Sequence, residues 1–384
     1  MSAGSFELDS EHREFKEVCD RFVRNEMIPR VAEAEENGFP AELWPKLADA
    51  GLLGVGQPEE YGGTGGGVLA LAILSESLAH SSGGLAITPL VSSYMAAPHL
   101  SRFGNEAQKE EYLRGTLAGE KVAAIAVTEP AAGSDVVGLK TRASATEGGW
   151  LLSGSKVFIT NAGLADFIIV AAKTAPDEGH HGISMFLVDR GAEGMSLGEP
   201  MAKMGWHASD TREIAFDECF VATEKLLGTE NRGFHQIMEA FQVERIALAG
   251  MGIGLGQRAI EDTIAHVRER SAFGVTLDKL QTIRHRVAEM NTKLTAARLV
   301  TYQAGAQFDA GDPDAPDSTA MAKLFAARVS NEVVDEAVQL FGGYGFVEET
   351  PIAMHYRDAR ILRIGGGTDE VQLEILAKRL FGPP

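Results

Sequence analysis

The sequence lacks the features that mark disulfide-rich, metal-binding and membrane-spanning proteins. Only two cysteines occur in 384 residues, Cys19 and Cys219, and a pair so distant in the chain does not make a disulfide scaffold. The ten histidines are scattered, and no group of cysteines and histidines has the spacing of a metal site. No run of about 18 apolar residues is present, so the sequence predicts no membrane-spanning helix.

Positive charge is also scarce. The chain carries 35 Lys and Arg against 54 Asp and Glu, and the net charge of -19 argues against nucleic acid and anionic membrane surfaces as partners. A phosphorylated ligand stays open, because local basic residues set the charge of such a site. The first residues contain no apolar segment of a secretory signal and carry too many acids for an organellar transit peptide. We therefore expect a cytoplasmic protein.

Hydrophobic periodicity divides the chain into helix, sheet and helix. Residues 1–120 have a helical period, and Ser10 is the expected N-cap of the first helix. Residues 121–228 alternate short β-like runs with glycine-containing turns, and residues 229–384 return to long helical segments. The pattern predicts an α+β protein with an N-terminal helical domain at 1–120, a small middle β domain at 121–228 and a C-terminal helical domain at 229–384.

One carboxylate stands in an apolar helical stripe. In FQVERIALAG at 241–250, helical spacing places Phe241 and Leu248 about one turn from Glu244 on either side. Burial disfavours a carboxylate anion, so the pKa of Glu244 should rise, and the group needs a partner or faces a cleft. Two interpretations follow: a structural glutamate paired with an arginine elsewhere, or a general base on an apolar wall.

Five motifs occur in an order that resembles the acyl-CoA dehydrogenase family. The resemblance covers nearly the whole chain, including the plan of helix, sheet and helix, and it implies a β-barrel-like middle domain and a C-terminal four-helix bundle. It implies an FAD-dependent enzyme that converts an acyl-CoA thioester to a trans-2-enoyl-CoA and passes the electrons to an electron-transfer flavoprotein. The motifs are AVTEPAAGSD at 126–135, GSKVFITNAG at 154–163, RSAFG at 270–274 with Gln281, QLFGGYGF at 339–346 and YRDARILRIGGGTDEVQ at 356–372.

The resemblance assigns the flavin ring to the middle domain. The backbone of Val127 and the hydroxyl of Thr128 would serve the pyrimidine end of the ring. Phe158 would lie along the ring, and Thr160 would donate to N5, the atom that receives the hydride. Ordinary packing in a β-sheet core is the alternative for Phe158.

The other FAD contacts implied by the resemblance lie in the C-terminal domain. Arg270 can pair with the pyrophosphate, and a surface salt bridge is the alternative for this residue. Several of these contacts reach the FAD of a neighbouring subunit, so the site implies an oligomer, usually a homotetramer in this family. The full set is Arg270, Phe273, Gln281, Gln339, Gly343, Thr368 and Glu370.

The sequence departs from the commoner family pattern at Gly366. Many members carry the catalytic glutamate there, whereas residues 365–368 read Gly-Gly-Gly-Thr. A second branch, which includes isovaleryl-CoA and long-chain acyl-CoA dehydrogenases, carries the acid on the helix, at the position of Glu244. The resemblance therefore implies that Glu244 is the base and that Ser134, Arg245 and Gly366 contact the substrate. A turn serine is the alternative for Ser134, and helix packing is the alternative for Arg245. The N–H of Gly366 would bind the thioester oxygen.

Two other functions stay open at this stage. Related flavoproteins on the same fold are oxidases or monooxygenases, and the absence of an acid at Gly366 also suits a non-catalytic subunit that binds CoA esters. Fatty acids, branched amino acids and sterol side chains all stay open as the source of the substrate. The small residues of GMGIGLG at 250–256 either allow close helix packing or leave room for a ligand.

Overall fold

Helices come first along the chain. The computed structural model describes residues 7–382, so the outermost residues of the first and last predicted domains, 1–6 and 383–384, lie outside the described range. Asp9 is the N-cap of the first helix, because its side chain accepts a backbone N–H of the first turn, and the prediction of Ser10 is wrong by one residue. The helices before the first strand are α1 (Ser10–Phe22), α2 (Val31–Asn37), α3 (Leu43–Asp49), α4 (Gly67–Ala79), α5 (Gly83–Leu90), α6 (Ala97–Phe103), α7 (Glu106–Gln108) and α8 (Arg114–Leu117).

The middle region forms an eight-stranded sheet in which both faces are buried in places. Its strands are β1 (Ala123–Ala126), β2 (Arg142–Thr146), β3 (Gly149–Thr160), β4 (Phe167–Lys173), β5 (Ile183–Asp189), β6 (Met195–Leu197), β7 (Thr211–Ala222) and β8 (Leu226–Leu227). Their order is β6-β7-β3-β2-β4-β5-β8, and β1 pairs in parallel with β4. On β4, Phe167 and Ile169 pack toward the helices, while Ile168 and Val170 enter a core built by the sheet alone. This alternation explains the continuous apolar run of the strand.

Long helices return after the sheet and confirm the predicted order of helix, sheet and helix. Helix α9 packs against α10, α11 and the earlier α4, so the first and third helical regions share a core. None of the described helices combines the length and the apolar character that crossing a bilayer requires. The C-terminal elements are α9 (Gly233–Glu269), β9 (Ser271–Ala272), β10 (Val275–Thr276), α10 (Gln281–Asp309), α11 (Ala315–Phe341), α12 (Pro351–Arg360) and α13 (Asp369–Phe381).

The glycines at 250–256 serve helix packing. A Cβ atom at Gly254 would lie 2.1 Å from the backbone oxygen of Glu76 on α4. A Cβ atom at Gly256 would lie 2.8 Å from Cδ1 of Leu294 on α10. Since real Cβ atoms do not approach a backbone atom so closely, Gly254 must be glycine for α9 to lie against α4. Both glycines adjoin packed neighbours, so the alternative of room for a ligand is wrong there.

Candidate active site

Glu244 presents a carboxylate that has no partner within residues 7–382. The side chain is partly buried on α9, and it accepts no hydrogen bond and forms no ion pair with a described residue. Burial raises the pKa of Glu244 to about 7, although the nearby charges of Arg245 and Lys323 act in the opposite direction. The interpretation as half of a structural ion pair is therefore not what the structure shows.

Gly366 faces Glu244 from the loop before α13. Its φ of 64° lies in the left-handed region, and a Cβ atom there would lie 2.3 Å from Cδ1 of Leu248. The same Cβ would lie 3.3 Å from Oε1 of Glu244. The N–H of Gly366 donates no backbone hydrogen bond to the described chain. The carboxylate of Glu244 therefore lies beside a residue whose N–H is unbonded in the described chain, as a proton abstraction beside a carbonyl group requires.

Two side chains that the sequence analysis missed hold this loop. Lys323 on α11 is fully buried, and its Nζ donates to the backbone oxygen of Gly367 at 2.5 Å. The amide of Gln372 donates to the oxygens of Gly366 and Gly367 at 3.3 and 3.1 Å. Burial lowers the pKa of Lys323 to about 8. The signal that could have found Lys323 is a lone cation inside the apolar run at 319–327.

Strand β3, which carries two of the predicted flavin contacts, exposes an aromatic ring to solvent. Phe158 is 66% exposed, so the alternative of core packing is wrong for this residue. A register shift of β3 against β7 falls between Lys156 and Ile159, and it gives Phe158 a φ of 61°. The backbone N–H of Val157 donates to the oxygen of Thr128 at 3.0 Å. The structure thus brings the segment with Val127 and Thr128 beside the strand that carries Phe158 and Thr160.

A buried ion pair supports the segment with Val127 and Thr128, and the sequence analysis missed this pair. Nζ of Lys156 lies 2.7 Å from Oε1 of Glu129 and donates to the oxygen of Val127 at 3.0 Å. Burial lowers the pKa of Lys156 to about 8. Burial works to raise the pKa of Glu129, but Lys156 and the hydrogen bonds from Thr141 and Lys140 hold that pKa below its usual value. The signal in the sequence was a lysine in a predicted strand, two residues before Phe158.

A cleft in the C-terminal region brings together three of the residues predicted for the FAD of a neighbouring subunit. A cavity of about 490 Å³ is lined by Arg270, Gln339 and Gly343, among others. The guanidinium carbon of Arg270 lies 5.7 Å from the centroid of the Tyr344 ring, and no described carboxylate pairs with it. The salt-bridge alternative for Arg270 is therefore not observed. Phe273 follows in a hairpin and is 94% exposed.

The remaining predicted residues are more scattered. Gln281 is the first residue of α10, and Ser134 is exposed in the loop after β1. Arg245 is buried, and its Nε has no hydrogen-bond partner within the described chain. Two of the predicted cofactor contacts lie at the start of α13. Thr368 caps that helix by accepting the N–H of a first-turn residue, and Glu370 is exposed beside it.

The site contains chemical groups that could bind FAD and act on an acyl thioester. An exposed aromatic ring offers an apolar surface to a flavin. An unpaired arginine in a cleft can hold a pyrophosphate. An unpartnered carboxylate whose pKa is near neutrality can accept a proton from carbon. Within residues 7–382, neither the carboxylate of Glu244 nor the guanidinium of Arg270 has an ion-pair partner, which leaves both charges available to a ligand.

Comparisons with known proteins identify the same family in all three regions of the chain. Three family models match: the N-terminal domain of acyl-CoA dehydrogenase at residues 9–120, its middle domain at 124–219 and its C-terminal domain at 231–381. The chain is similar to the mitochondrial long-chain specific acyl-CoA dehydrogenase of Rattus norvegicus, with 38% identity over 97% of this chain and 87% of that protein.

Two further similarities are to a relative named for a shorter acyl chain and to a solved structure. The short-chain specific acyl-CoA dehydrogenase of Megasphaera elsdenii is 38% identical over 98% of this chain and 99% of its own. The structure of butyryl-CoA dehydrogenase from Megasphaera elsdenii superimposes with a TM-score of 0.94 at 37% identity, covering 98% of this chain and 100% of that one. The relatives therefore share the fold while differing in the acyl group that their names specify.

Proposed function

The chain belongs to the acyl-CoA dehydrogenase family, and from this premise we propose that Glu244 is the base that removes the α-proton of an acyl-CoA. The observation that carries the proposal is the carboxylate of Glu244, which has no partner in the described chain and faces the empty side-chain position of Gly366. A base must be ionised to work, and a pKa of about 7 keeps much of this group ionised at neutral pH while it remains strong enough to take a proton.

The chain's own residues prepare the substrate for this step. The N–H of Gly366 is free to donate to the thioester oxygen, where negative charge develops as the α-proton leaves. Glu244 takes that proton, and the apolar neighbour Leu248 helps to exclude water from the carboxylate. Bound FAD supplies the acceptor for the hydride that leaves the β-carbon, and the product is a trans-2-enoyl-CoA. Ser134 and Arg245 would contact the CoA part of the substrate.

Residues of two domains would hold the FAD. Val127, Thr128, Phe158 and Thr160 form one set around the isoalloxazine ring. The second set reaches the FAD of another subunit, which makes a homotetramer the proposed assembly and gives a reason for the exposure of Phe273. The second set, with the residues at the start of α13, is Arg270, Phe273, Gln281, Gln339, Gly343, Thr368 and Glu370.

The test is a panel of acyl-CoA thioesters added to the purified flavoprotein without oxygen. Short, branched, long and cyclic acyl groups are each mixed with the protein, and the loss of flavin absorbance is followed. We expect bleaching with at least one member of the panel and conversion to the enoyl-CoA. A colourless protein, or a yellow one that no thioester bleaches, would favour the non-catalytic alternative.

The electron acceptor needs a separate measurement. We propose that an electron-transfer flavoprotein is the partner and that the enzyme acts in the cytoplasm on acyl groups from lipid or amino-acid breakdown. Turnover with the active thioester is followed by dye reduction and by oxygen consumption. Fast dye reduction with slow oxygen use supports a dehydrogenase, whereas rapid oxygen use would show an oxidase or monooxygenase on the same fold.

A further inference from the structure

We propose that Lys323 is a positioning residue of this active site, which holds the loop at Gly366 and Gly367 against Glu244 and stabilises the ionised form of that glutamate. The inference rests on the proposed role of Glu244 as the base. Lys323 itself does not touch the reacting atoms in this scheme, because its ammonium group is bonded to a backbone oxygen of the loop.

The loop needs anchors because its own backbone is poorly constrained. Residues 365–367 are three consecutive glycines, and glycine loses more conformational freedom on ordering than any other residue. Gly366 and Gly367 both have positive φ values, 64° and 91°. The N–H of Gly365 is bonded to the oxygen of Ile361 at 2.9 Å, which fixes where the loop begins.

Lys323 and Gln372 hold the other end of the loop. The oxygen of Gly367 accepts from Nζ of Lys323 and from Nε2 of Gln372, and the oxygen of Gly366 accepts from Gln372 as well. Both side chains are completely buried, so these contacts are protected from water. Between the two fixed ends lies the free N–H of Gly366. The orientation of that N–H therefore depends on Lys323.

The charge of Lys323 acts on Glu244 through space. The charged groups that face Lys323 are Glu244 and Arg245 from α9, Asp369 from α13 and Arg363 from the preceding turn. Asp369 is already bonded to Arg363 at 2.8 Å and to another arginine. Glu244 has no such partner among the described residues. The positive charge of Lys323 is thus available to favour the glutamate anion, which is the form that accepts a proton.

The two contributions can be separated with one pair of variants. Lys323→Met removes the hydrogen bond and the charge, whereas Gln372→Met removes hydrogen bonds to the same loop and leaves the charge in place. In both variants we expect kcat to fall by roughly tenfold to a hundredfold, because the N–H donor is misplaced. Only Lys323→Met should also move the acid limb of the kcat/KM profile, upward by about one pH unit, because the anion of Glu244 loses a nearby cation.

Lys323→Arg is the conservative variant, and it should keep the acid limb in place because the charge remains. Flavin absorbance and thermal unfolding show whether each variant is folded before its rates are compared. A folded Lys323→Met protein with the wild-type kcat and the wild-type acid limb would overturn the inference. This result differs from failure of the proposed function, in which the wild-type protein itself would show no bleaching with any thioester.

Discussion

The carboxylate of Glu244 and the missing side chain of Gly366 meet at one place, although they lie on different elements. A Cβ atom at Gly366 would lie 3.3 Å from Oε1 of Glu244. An acid on either element would therefore reach the same region, while acids on both would face each other as like charges in a poorly solvated site. This geometry explains why a glutamate on the helix is combined with a glycine in the loop.

Replacement of Glu244 by glutamine should abolish turnover and leave the flavin bound. Glutamine has nearly the same shape but cannot accept the α-proton, so we expect kcat to fall by about a thousandfold or more. Flavin absorbance and anaerobic bleaching report the two effects separately. Glu239→Gln is the matched control on the same helix, because Glu239 pairs with Arg102 and has no part in the proposed chemistry. An active Glu244→Gln enzyme would refute the assignment.

The raised pKa of Glu244 predicts opposite effects of pH on rate and on stability. Because the base works only when ionised, kcat/KM should rise with pH through about 7. From the usual value of 4.5 up to about 7, the folded protein binds a proton at Glu244 that the unfolded chain has lost. The free energy of unfolding should therefore fall as pH rises across this range, as far as this group is concerned.

The measurement is urea denaturation of the wild-type protein and of Glu244→Gln at both ends of that range. The glutamine variant binds no such proton, so its stability relative to the wild type should increase with pH and level off above about 7. A difference between the two proteins that does not change with pH would show that the pKa of Glu244 is not raised in the folded state.

Local pattern explains what could be predicted from the sequence. The helical period predicted long helices within residues 229–384, where the structure has α9, α10 and α11, because burial of one helix face repeats every turn. The apolar helix face around Glu244 could be recognised in the sequence for the same reason. Phe158 was not, because strand alternation makes an inward position equally reasonable, and the register shift that turns it outward depends on how β3 pairs with β7.

Contacts between distant segments were beyond local pattern. Lys156 meets Glu129 across 27 residues, and Lys323 meets Gly367 across 44 residues. A buried lysine is stable only where a tertiary partner satisfies it, and a single sequence does not reveal which partner that is. The polar groups that support the site were therefore missed, while the groups proposed to contact flavin and substrate were named through the family motifs.

Loss of the buried Lys156 should destabilise the middle domain. Lys156→Met leaves the carboxylate of Glu129 buried without its cation, and breaking such a pair costs roughly 3–5 kcal/mol. The flavin should also bind more weakly, because Val127 loses the hydrogen bond to its backbone oxygen. The double variant Glu129→Gln with Lys156→Met should recover part of the stability, since no unpaired charge remains. Equal stability of the single and double variants in chemical denaturation would contradict this account.

Removal of the Phe158 ring should weaken flavin binding without weakening the fold. The ring is 66% exposed and its backbone has a φ of 61°, so it contributes little to the core of the flavin-free protein. Phe158→Ala should lower the affinity for FAD by about tenfold, as measured by flavin fluorescence, because aromatic stacking is lost. Phe220→Ala is the control, since Phe220 on β7 is also exposed, at 49%. Similar losses of FAD affinity in both variants would argue against a flavin contact at Phe158.

A methyl group at Gly366 should disturb both the fold and the chemistry. Alanine is strained at a φ of 64°, which costs about 1–2 kcal/mol, and its Cβ would lie 2.3 Å from Cδ1 of Leu248. Gly311→Ala separates these effects, because Gly311 has a φ of 66° and open space around the added Cβ. We expect Gly366→Ala to lose more stability than Gly311→Ala and also to lose activity, because the clash moves the N–H that is proposed to bind the thioester oxygen.

A second substitution tests whether the clash with Leu248 causes the losses expected for Gly366→Ala. Adding Leu248→Ala to Gly366→Ala removes the atom that the new methyl group meets, so the double variant should be less destabilised than the sum of the two single variants. The activity should recover in part for the same reason. If the losses in unfolding free energy simply add, the positive φ alone accounts for the glycine, and the contact between Leu248 and the loop has no part in shaping the site.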